Sequence, residues 1–143
     1  MGYEYTNWES LVSEPELKRN DLIHPGLSYT LIGIAFSVFN ELGAGHLEKI
    51  YQRAFAKELS AKNLKYKEQV QYNVLYKGEA IGKSFLDFLV EDKIIIELKR
   101  NDKYSVKNIE QVSNYLKLSG LHLAILIHFS KEGVKFKRIV NTN

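Results

Sequence analysis

The spacing of apolar residues predicts two helices in succession. Over residues 28–42 apolar side chains recur every three or four positions, the period of a helix with one buried face, at Leu31, Ala35, Val38 and Leu42. The glycines of segment 43–45 interrupt this period, and a second apolar face runs from Leu47 to Leu59. We therefore expect two helices that meet at a glycine elbow.

After these helices the pattern becomes that of strands. Alternating apolar positions over 68–76, a turn at 77–79 and an apolar segment over 80–90 predict a β-hairpin, and the isoleucine-rich segment 93–100 predicts a third strand. Three further elements are predicted: a helix over 105–119, a strand covered on both faces over 121–129, and a strand over 134–140.

The element order ααβββαββ predicts an α/β protein with a mixed β-sheet flanked by helices. Residues 1–27 show no sustained period, so we interpret them as an N-terminal extension or a short helix, followed by one domain over 28–143. A length of 143 residues, with 45% hydrophobic and 26% charged side chains, is consistent with a single globular core.

Composition excludes several kinds of site. The chain has no cysteine, which rules out a disulfide framework, a thiolate zinc site and a thiol nucleophile. Its longest apolar segment, 123–127, is far shorter than the ~20 residues that span a bilayer, and its acidic start does not resemble a signal peptide. We therefore expect a cytoplasmic protein that is not bound to a membrane, and the sequence leaves its oligomeric state open, a homodimer included.

Charge is unevenly distributed along the chain. Two basic and five acidic residues lie in 1–27, eight of each in 28–92, and ten basic against four acidic in 93–143. The three segments thus carry net charges of −3, 0 and +6, which together give the net charge of +3. Such an excess attracts nucleic-acid phosphates, although a solvated lysine-rich surface accounts for the charge alone equally well.

Acidic residues interrupt two strongly apolar strands. Because side chains alternate faces, Glu97 and Lys99 fall on one side of their strand, and Asp87 on the preceding strand can approach them across a short turn. Two converging carboxylates suit Mg²⁺ or Mn²⁺, and Lys99 can orient a water or stabilise charge on a phosphate. A cross-strand salt bridge with Lys99 is the simpler explanation if these residues are taken alone.

Three further polar residues have the same ambiguity when each is taken alone. Glu48 lies in the first turn of the second helix, where an acid is favourable for the helix dipole. Gln111 and Tyr115 are four residues apart on one face of the predicted third helix, which is also common at a helix surface.

Taken in order, these residues resemble the PD-(D/E)xK nuclease superfamily, and within it the GxxExxY family. Gly45, Glu48 and Tyr51 match the pattern that names the family, Asp87 lies on the second strand of the core, and Glu97-Leu98-Lys99 supplies the signature. The set also resembles the motif pattern of RecB-type exonuclease domains, with Gln111 and Tyr115. The resemblance covers about residues 28–140 and implies a restriction-endonuclease-like core.

The resemblance also implies roles for individual residues. Asp87, Glu97 and the Leu98 carbonyl would hold the metal, with Glu48 bound to it directly or through water, and Lys99 would act on the attacking water. Gln111, Tyr115 and Tyr51 would position the site or the substrate. The basic residues that would contact a nucleic-acid backbone, DNA being favoured, are Arg100, Lys103 and Lys107.

Two positions depart from the family pattern. Phe39 occupies a position where the family often has histidine, and Arg100 occupies one where it has a small residue after the signature. His46 lies close to Glu48, and for a lone loop histidine we favour a surface or capping role over a ligand role. His24, His122 and His128 have no cluster spacing, and we treat them as structural.

Three functions are compatible with these residues. The first is a Mg²⁺- or Mn²⁺-dependent nuclease, and the second is an inactive nucleic-acid-binding or protein-binding module that retains the nuclease fold. The third, glycoside hydrolysis by Asp87 and Glu97, leaves Lys99 without a role.

Overall fold

The computed structural model describes residues 3–7, 23–100 and 106–141, which form six strands and three helices. In chain order the elements are β1 (Tyr3–Asn7), α1 (Pro25–Leu42), α2 (Glu48–Ala61), β2 (Tyr66–Tyr76), β3 (Glu79–Val90), β4 (Ile94–Lys99), α3 (Val106–Ser119), β5 (Leu123–Ser130) and β6 (Gly133–Val140).

The strands form one mixed sheet in the order β1-β6-β5-β4-β3-β2. Only β4 and β5 pair in parallel, and α3 makes the crossover between them, as parallel neighbours require. The other neighbouring strands are antiparallel. The mixed sheet flanked by helices that the pattern predicts is therefore confirmed.

Helices cover both faces of the sheet. On one face α1 and α2 pack against the side chains of Phe88, Ile94, Ile96 and Leu98, while on the other α3 packs against a second cluster that includes Ile95. All eight residues of β5 are buried, which confirms the prediction of a strand covered on both sides. No helix in the described ranges is long and apolar enough to cross a membrane.

Two features of the fold differ from the sequence prediction. The first helix begins at Pro25, three residues earlier than predicted, because proline fits the first turn of a helix. Residues 3–7 form β1, an edge strand on β6, where the sequence predicts no strand. A segment of five residues is too short to predict a strand whose partner residues lie 128 to 136 positions away.

The hairpin of β2 and β3 is irregular where β3 reaches Asp87. Gln69 lies opposite Asp87, between the pairs Glu68–Phe88 and Val70–Leu86, and has a φ of 53°. This left-handed conformation is uncommon for a residue with a β-carbon. The apolar residues on either side of Asp87 pack on opposite faces of the sheet. Leu86 belongs to the α3 cluster and Phe88 to the α1–α2 cluster.

Candidate active site

Asp87 and Glu97 lie where the ladder between β3 and β4 ends. The last pair in the ladder is Phe88 with Ile96. Beyond it, side chains replace the backbone partners: the Asp87 N–H donates to Glu97 Oε1 at 2.7 Å, and the Leu98 N–H donates to Asp87 Oδ2 at 2.8 Å. The structure thus brings together the two carboxylates that the sequence pairs.

Both carboxyl groups are deeply buried, with 9% of Asp87 and 4% of Glu97 exposed. Burial and then the charge of Asp87 raise the pKa of Glu97 to about 8. The pKa of Asp87 is also raised, chiefly by burial and in smaller part by the charge of Glu48. Burial and the closeness of the two acids therefore oppose the presence of two negative charges at this site.

Lys99 is the cation of this site. Its Nζ lies 3.6 Å from Glu97 Oε2, and its side chain is 25% exposed. The charge of Lys99 lowers the pKa of both acids, but in each case burial has the larger effect. Glu97 and Lys99 share a face of β4, as the alternation of the strand predicts.

Gln52 belongs to the site, although the sequence analysis did not select it. Its Nε2 donates to Asp87 Oδ1 at 2.8 Å, so that Gln52 and the Leu98 N–H together occupy both oxygens of Asp87. Gln52 follows Glu48 by four residues and therefore shares its face of α2. This spacing is the signal that could have identified it.

Glu48 is the first residue of α2 and is partly exposed. No described hydrogen bond joins it to Asp87 or Glu97, but its charge acts on Asp87. Its place in the first turn also favours an acid through the helix dipole. The structure therefore brings Glu48 close enough to influence the charge of Asp87, and no hydrogen bond between the two is described.

Tyr51 holds the glycine elbow in place. It is fully buried, and its hydroxyl donates to the Gly43 carbonyl at 2.6 Å. Gly43 has a φ of 72°, which suits glycine at the end of a helix. His46 Nε2 lies 2.9 Å from the Leu42 carbonyl, at the C-terminus of α1, which confirms the capping role predicted for this histidine.

A stack of three aromatic rings supports the elbow from the core. Phe129 of β5 lies between Tyr51, at 4.3 Å between centroids, and Phe39 of α1, at 6.2 Å. Phe39, which departs from the family pattern, is thus part of the packing.

The residues predicted to contact phosphate are Arg100, Lys103 and Lys107. Arg100 and Lys107 are exposed, and Arg100 Nη1 lies 3.5 Å from the His46 carbonyl, a long contact with the elbow. Lys103 lies outside the described residues.

Gln111 and Tyr115 belong to α3. Both line a cavity of about 390 Å³ between α3 and β2, where the ring of Tyr115 contacts that of Tyr72 at 6.1 Å. No hydrogen bond or ion pair in the described ranges joins them to Asp87, Glu97 or Lys99. Their predicted role in positioning the site therefore has no contact to support it.

The donors present fit a hard divalent cation better than a soft one. Asp87, Glu97 and the Leu98 carbonyl offer oxygen only, and Mg²⁺ takes one or two protein carboxylates and keeps several waters. Within the described residues there is no group of three or more His, Asp or Glu side chains that could hold a metal ion. Burial is the largest cause of the raised pKa of both acids, and a bound cation would favour their charged forms.

Comparison with known proteins agrees with this fold. A family model described as the PD-(D/E)XK nuclease superfamily matches residues 25–139. The chain belongs to this superfamily, whose members generally use divalent metals.

The following two are among the solved structures that are similar to the chain. The crystal structure of SSO0001 is 19% identical with a TM-score of 0.50, over 65% of this chain and 49% of that one, so the chain spans about half its length. An alkaline exonuclease from Laribacter hongkongensis is 14% identical with a TM-score of 0.45, over 90% of this chain and 74% of that one. No curated protein matches the chain.

Proposed function

We propose that this protein is a nuclease that hydrolyses phosphodiester bonds with Mg²⁺ or Mn²⁺, DNA being the favoured substrate. The observation that carries the proposal is the pair Asp87 and Glu97, two buried carboxylates bonded across the point where β3 and β4 separate. Membership of the nuclease superfamily supports it.

Asp87, Glu97 and the Leu98 carbonyl would hold the cation, and Glu48 would add negative charge nearby. A bound divalent cation would neutralise charge developing on the phosphate and make a water more acidic. The chain's own contribution is positional, since Gln52 and the Leu98 N–H orient Asp87 while the Asp87 N–H orients Glu97. Hydrogen-bond donors behind a carboxylate fix how it presents its free lone pairs to a metal.

Lys99 supplies the general acid–base and electrostatic function. Paired with Glu97 at 3.6 Å, its ammonium is held at the carboxylates and remains partly open to solvent. From this position it would orient the attacking water and stabilise negative charge on the phosphate. Arg100, Lys103 and Lys107 would attract the nucleic-acid backbone beside it.

The test is a cleavage assay with purified protein on single-stranded, double-stranded and branched DNA and on RNA, with Mg²⁺, Mn²⁺ or EDTA. We expect cleavage with either cation, none in EDTA, and a loss of at least about 100-fold in Lys99→Ala. The control is Lys67→Ala, since Lys67 is exposed and its ion pair with Asp92 lies at the surface. If wild-type protein cuts no substrate, or if Lys99→Ala and wild type are equally active, the proposal is wrong.

The second function that the sequence left open is an inactive module that retains the nuclease fold. It predicts nucleic-acid binding that depends on salt but is unaffected by divalent cations. The same assay separates the two, because the module would bind oligonucleotides and cleave none.

A further inference from the structure

His128 is a buried polar residue of β5 that the proposed chemistry does not use. Every residue of this strand is buried, and only 1% of His128 is exposed. Burying a polar side chain costs free energy that an apolar side chain avoids, so a histidine in this mainly apolar strand needs a cause. Spacing along the chain does not reveal one, because the neighbours of His128 come from other strands.

His128 lies on the same face of the sheet as Glu97 and Lys99. The residues next to these three along β4 and β5 include four that pack in the α1–α2 cluster: Ile96, Leu98, Ile127 and Phe129. Because side chains alternate along a strand, Glu97, Lys99 and His128 themselves point to the opposite face, that of α3. The other residues of β4 and β5 on that face pack in the α3 cluster: Ile95, Ala124 and Leu126.

Lys99 and His128 are direct neighbours in the parallel ladder of β4 and β5. The register pairs Lys99 with His128, whereas Glu97 is paired with the apolar Leu126. Neighbouring strands are about 4.8 Å apart, so the side chains of Lys99 and His128 begin side by side. On the other side of β4 the ladder with β3 ends at Ile96, so within the described ladders His128 is the residue paired with Lys99.

We propose that His128 is a positioning residue, which holds the Lys99 side chain with its ammonium directed at Glu97. The inference rests on the proposed nuclease function, in which Lys99 acts on water and phosphate. A lysine has a flexible stem of four carbons and loses conformational entropy when it is held in one geometry. The imidazole ring packs along this stem on the β5 side, so that the ammonium points to Glu97 Oε2, 3.6 Å away.

An imidazole suits this position better than an apolar side chain of similar size. Its flat ring contacts the carbons of the lysine stem, and its nitrogens place polar atoms beside the ammonium, where a leucine would place hydrocarbon. The side chain of Lys99 is only 25% exposed, so protein groups as well as water surround its charge. An apolar residue of similar volume should therefore not replace His128.

The test compares His128→Leu, which removes the ring nitrogens, with His128→Gln, which retains a polar group. The control is His122→Leu, since His122 precedes β5 at its opposite end, with Nδ1 2.8 Å from the Asn141 carbonyl oxygen. We expect kcat with Mn²⁺ to fall roughly tenfold in His128→Leu with KM unchanged, to fall less in His128→Gln, and to stay at the wild-type value in the control. A merely structural role would lower the thermal midpoint and leave kcat of the folded protein unchanged.

A second measurement shows whether His128 acts through Lys99. In the Lys99→Ala background, His128→Leu should cause no further loss of kcat, because residues that act as one unit have effects that do not add. An equal loss in both backgrounds would overturn the inference. If His128→Leu does not fold, His128→Gln takes its place in each comparison.

A third measurement requires no cleavage. In EDTA, NMR of protein isotope-labelled at the lysine ε-carbons gives a Lys99 signal, which is assigned by its absence from Lys99→Arg. We expect this signal to move toward those of the exposed lysines in His128→Leu and to keep its position in His122→Leu. An unchanged Lys99 signal in His128→Leu would overturn the inference.

The NMR and cleavage results keep the two proposals apart. If the Lys99 signal moves as expected and wild-type protein cleaves no substrate, only the nuclease proposal is wrong. If wild-type protein cleaves and His128→Leu retains both the wild-type kcat and the wild-type Lys99 signal, only the role of His128 is wrong.

Discussion

The backbone N–H of Asp87 donates to the Glu97 carboxylate at 2.7 Å, at the position where their two strands stop pairing. The next backbone donor along β4, the Leu98 N–H, returns a bond to the Asp87 carboxylate at 2.8 Å. Each acid is therefore held by the backbone of the other strand. Because the two bonds are reciprocal, a change at either residue should disturb the placement of both.

Replacing Gln52 with alanine should reduce activity without unfolding the protein. The change removes the donor to Asp87 Oδ1 and leaves this part-buried oxygen without that partner. We expect about a tenfold loss of cleavage or of metal affinity and roughly 1 kcal/mol of stability. Glu58→Ala on the same helix is the control, and equal activities of the two variants would show that Gln52 does not position Asp87.

Stability of the metal-free protein should fall as pH rises between about 5 and about 8. The pKa of Glu97 rises from 4.5 to about 8 on folding, so the folded state retains a proton that the unfolded state releases. This contribution is complete below the unfolded pKa and is lost as the pH passes through the folded pKa. The raised pKa of Asp87 acts in the same direction.

The measurement is the thermal midpoint in EDTA across this pH range, for wild type and Glu97→Gln. Since the amide that replaces the Glu97 carboxyl group cannot titrate, the decline should be smaller in the variant. Parallel curves for the two proteins would show that the carboxylate pair does not retain a proton in the folded state.

Tyr51→Phe should destabilise the elbow. The hydroxyl donates to Gly43 at 2.6 Å in a part-buried position, and its removal leaves that carbonyl without the bond. We expect a loss of about 1–2 kcal/mol in urea unfolding. Tyr66→Phe is the matched control, because the Tyr66 hydroxyl bonds Ser60 in an exposed position. This substitution should reduce the free energy of unfolding by less than about 0.5 kcal/mol. Equal losses would argue against this role of Tyr51.

The sequence predicted those elements whose signals are local. Helical period, the turn before β3 and the isoleucines of β4 fixed most of the fold, and strand alternation placed Glu97 and Lys99 on one face. It did not reveal Gln52, because a glutamine on a helix is ordinary until its partner, 35 residues away, is known. The left-handed Gln69 opposite Asp87 is equally invisible, since a non-glycine residue with positive φ has no clear sequence signal.

The site role of Gln111 and Tyr115 stays a prediction. Their spacing places both on one face of α3, as predicted, but that face lines the cavity against β2. Which strand a helix face meets depends on the tilt of the helix across the sheet, and the spacing of residues along one helix carries no information about it.

The central claim, that Asp87 and Glu97 together bind a divalent cation, is tested most directly by calorimetric titration with Mn²⁺. Asp87→Asn retains the shape of the side chain and an oxygen for the Leu98 N–H, while Asp92→Asn changes an exposed aspartate as the control. We predict binding to wild type and Asp92→Asn that is lost in Asp87→Asn. Absence of binding to wild type, or equal binding to all three proteins, would contradict the claim.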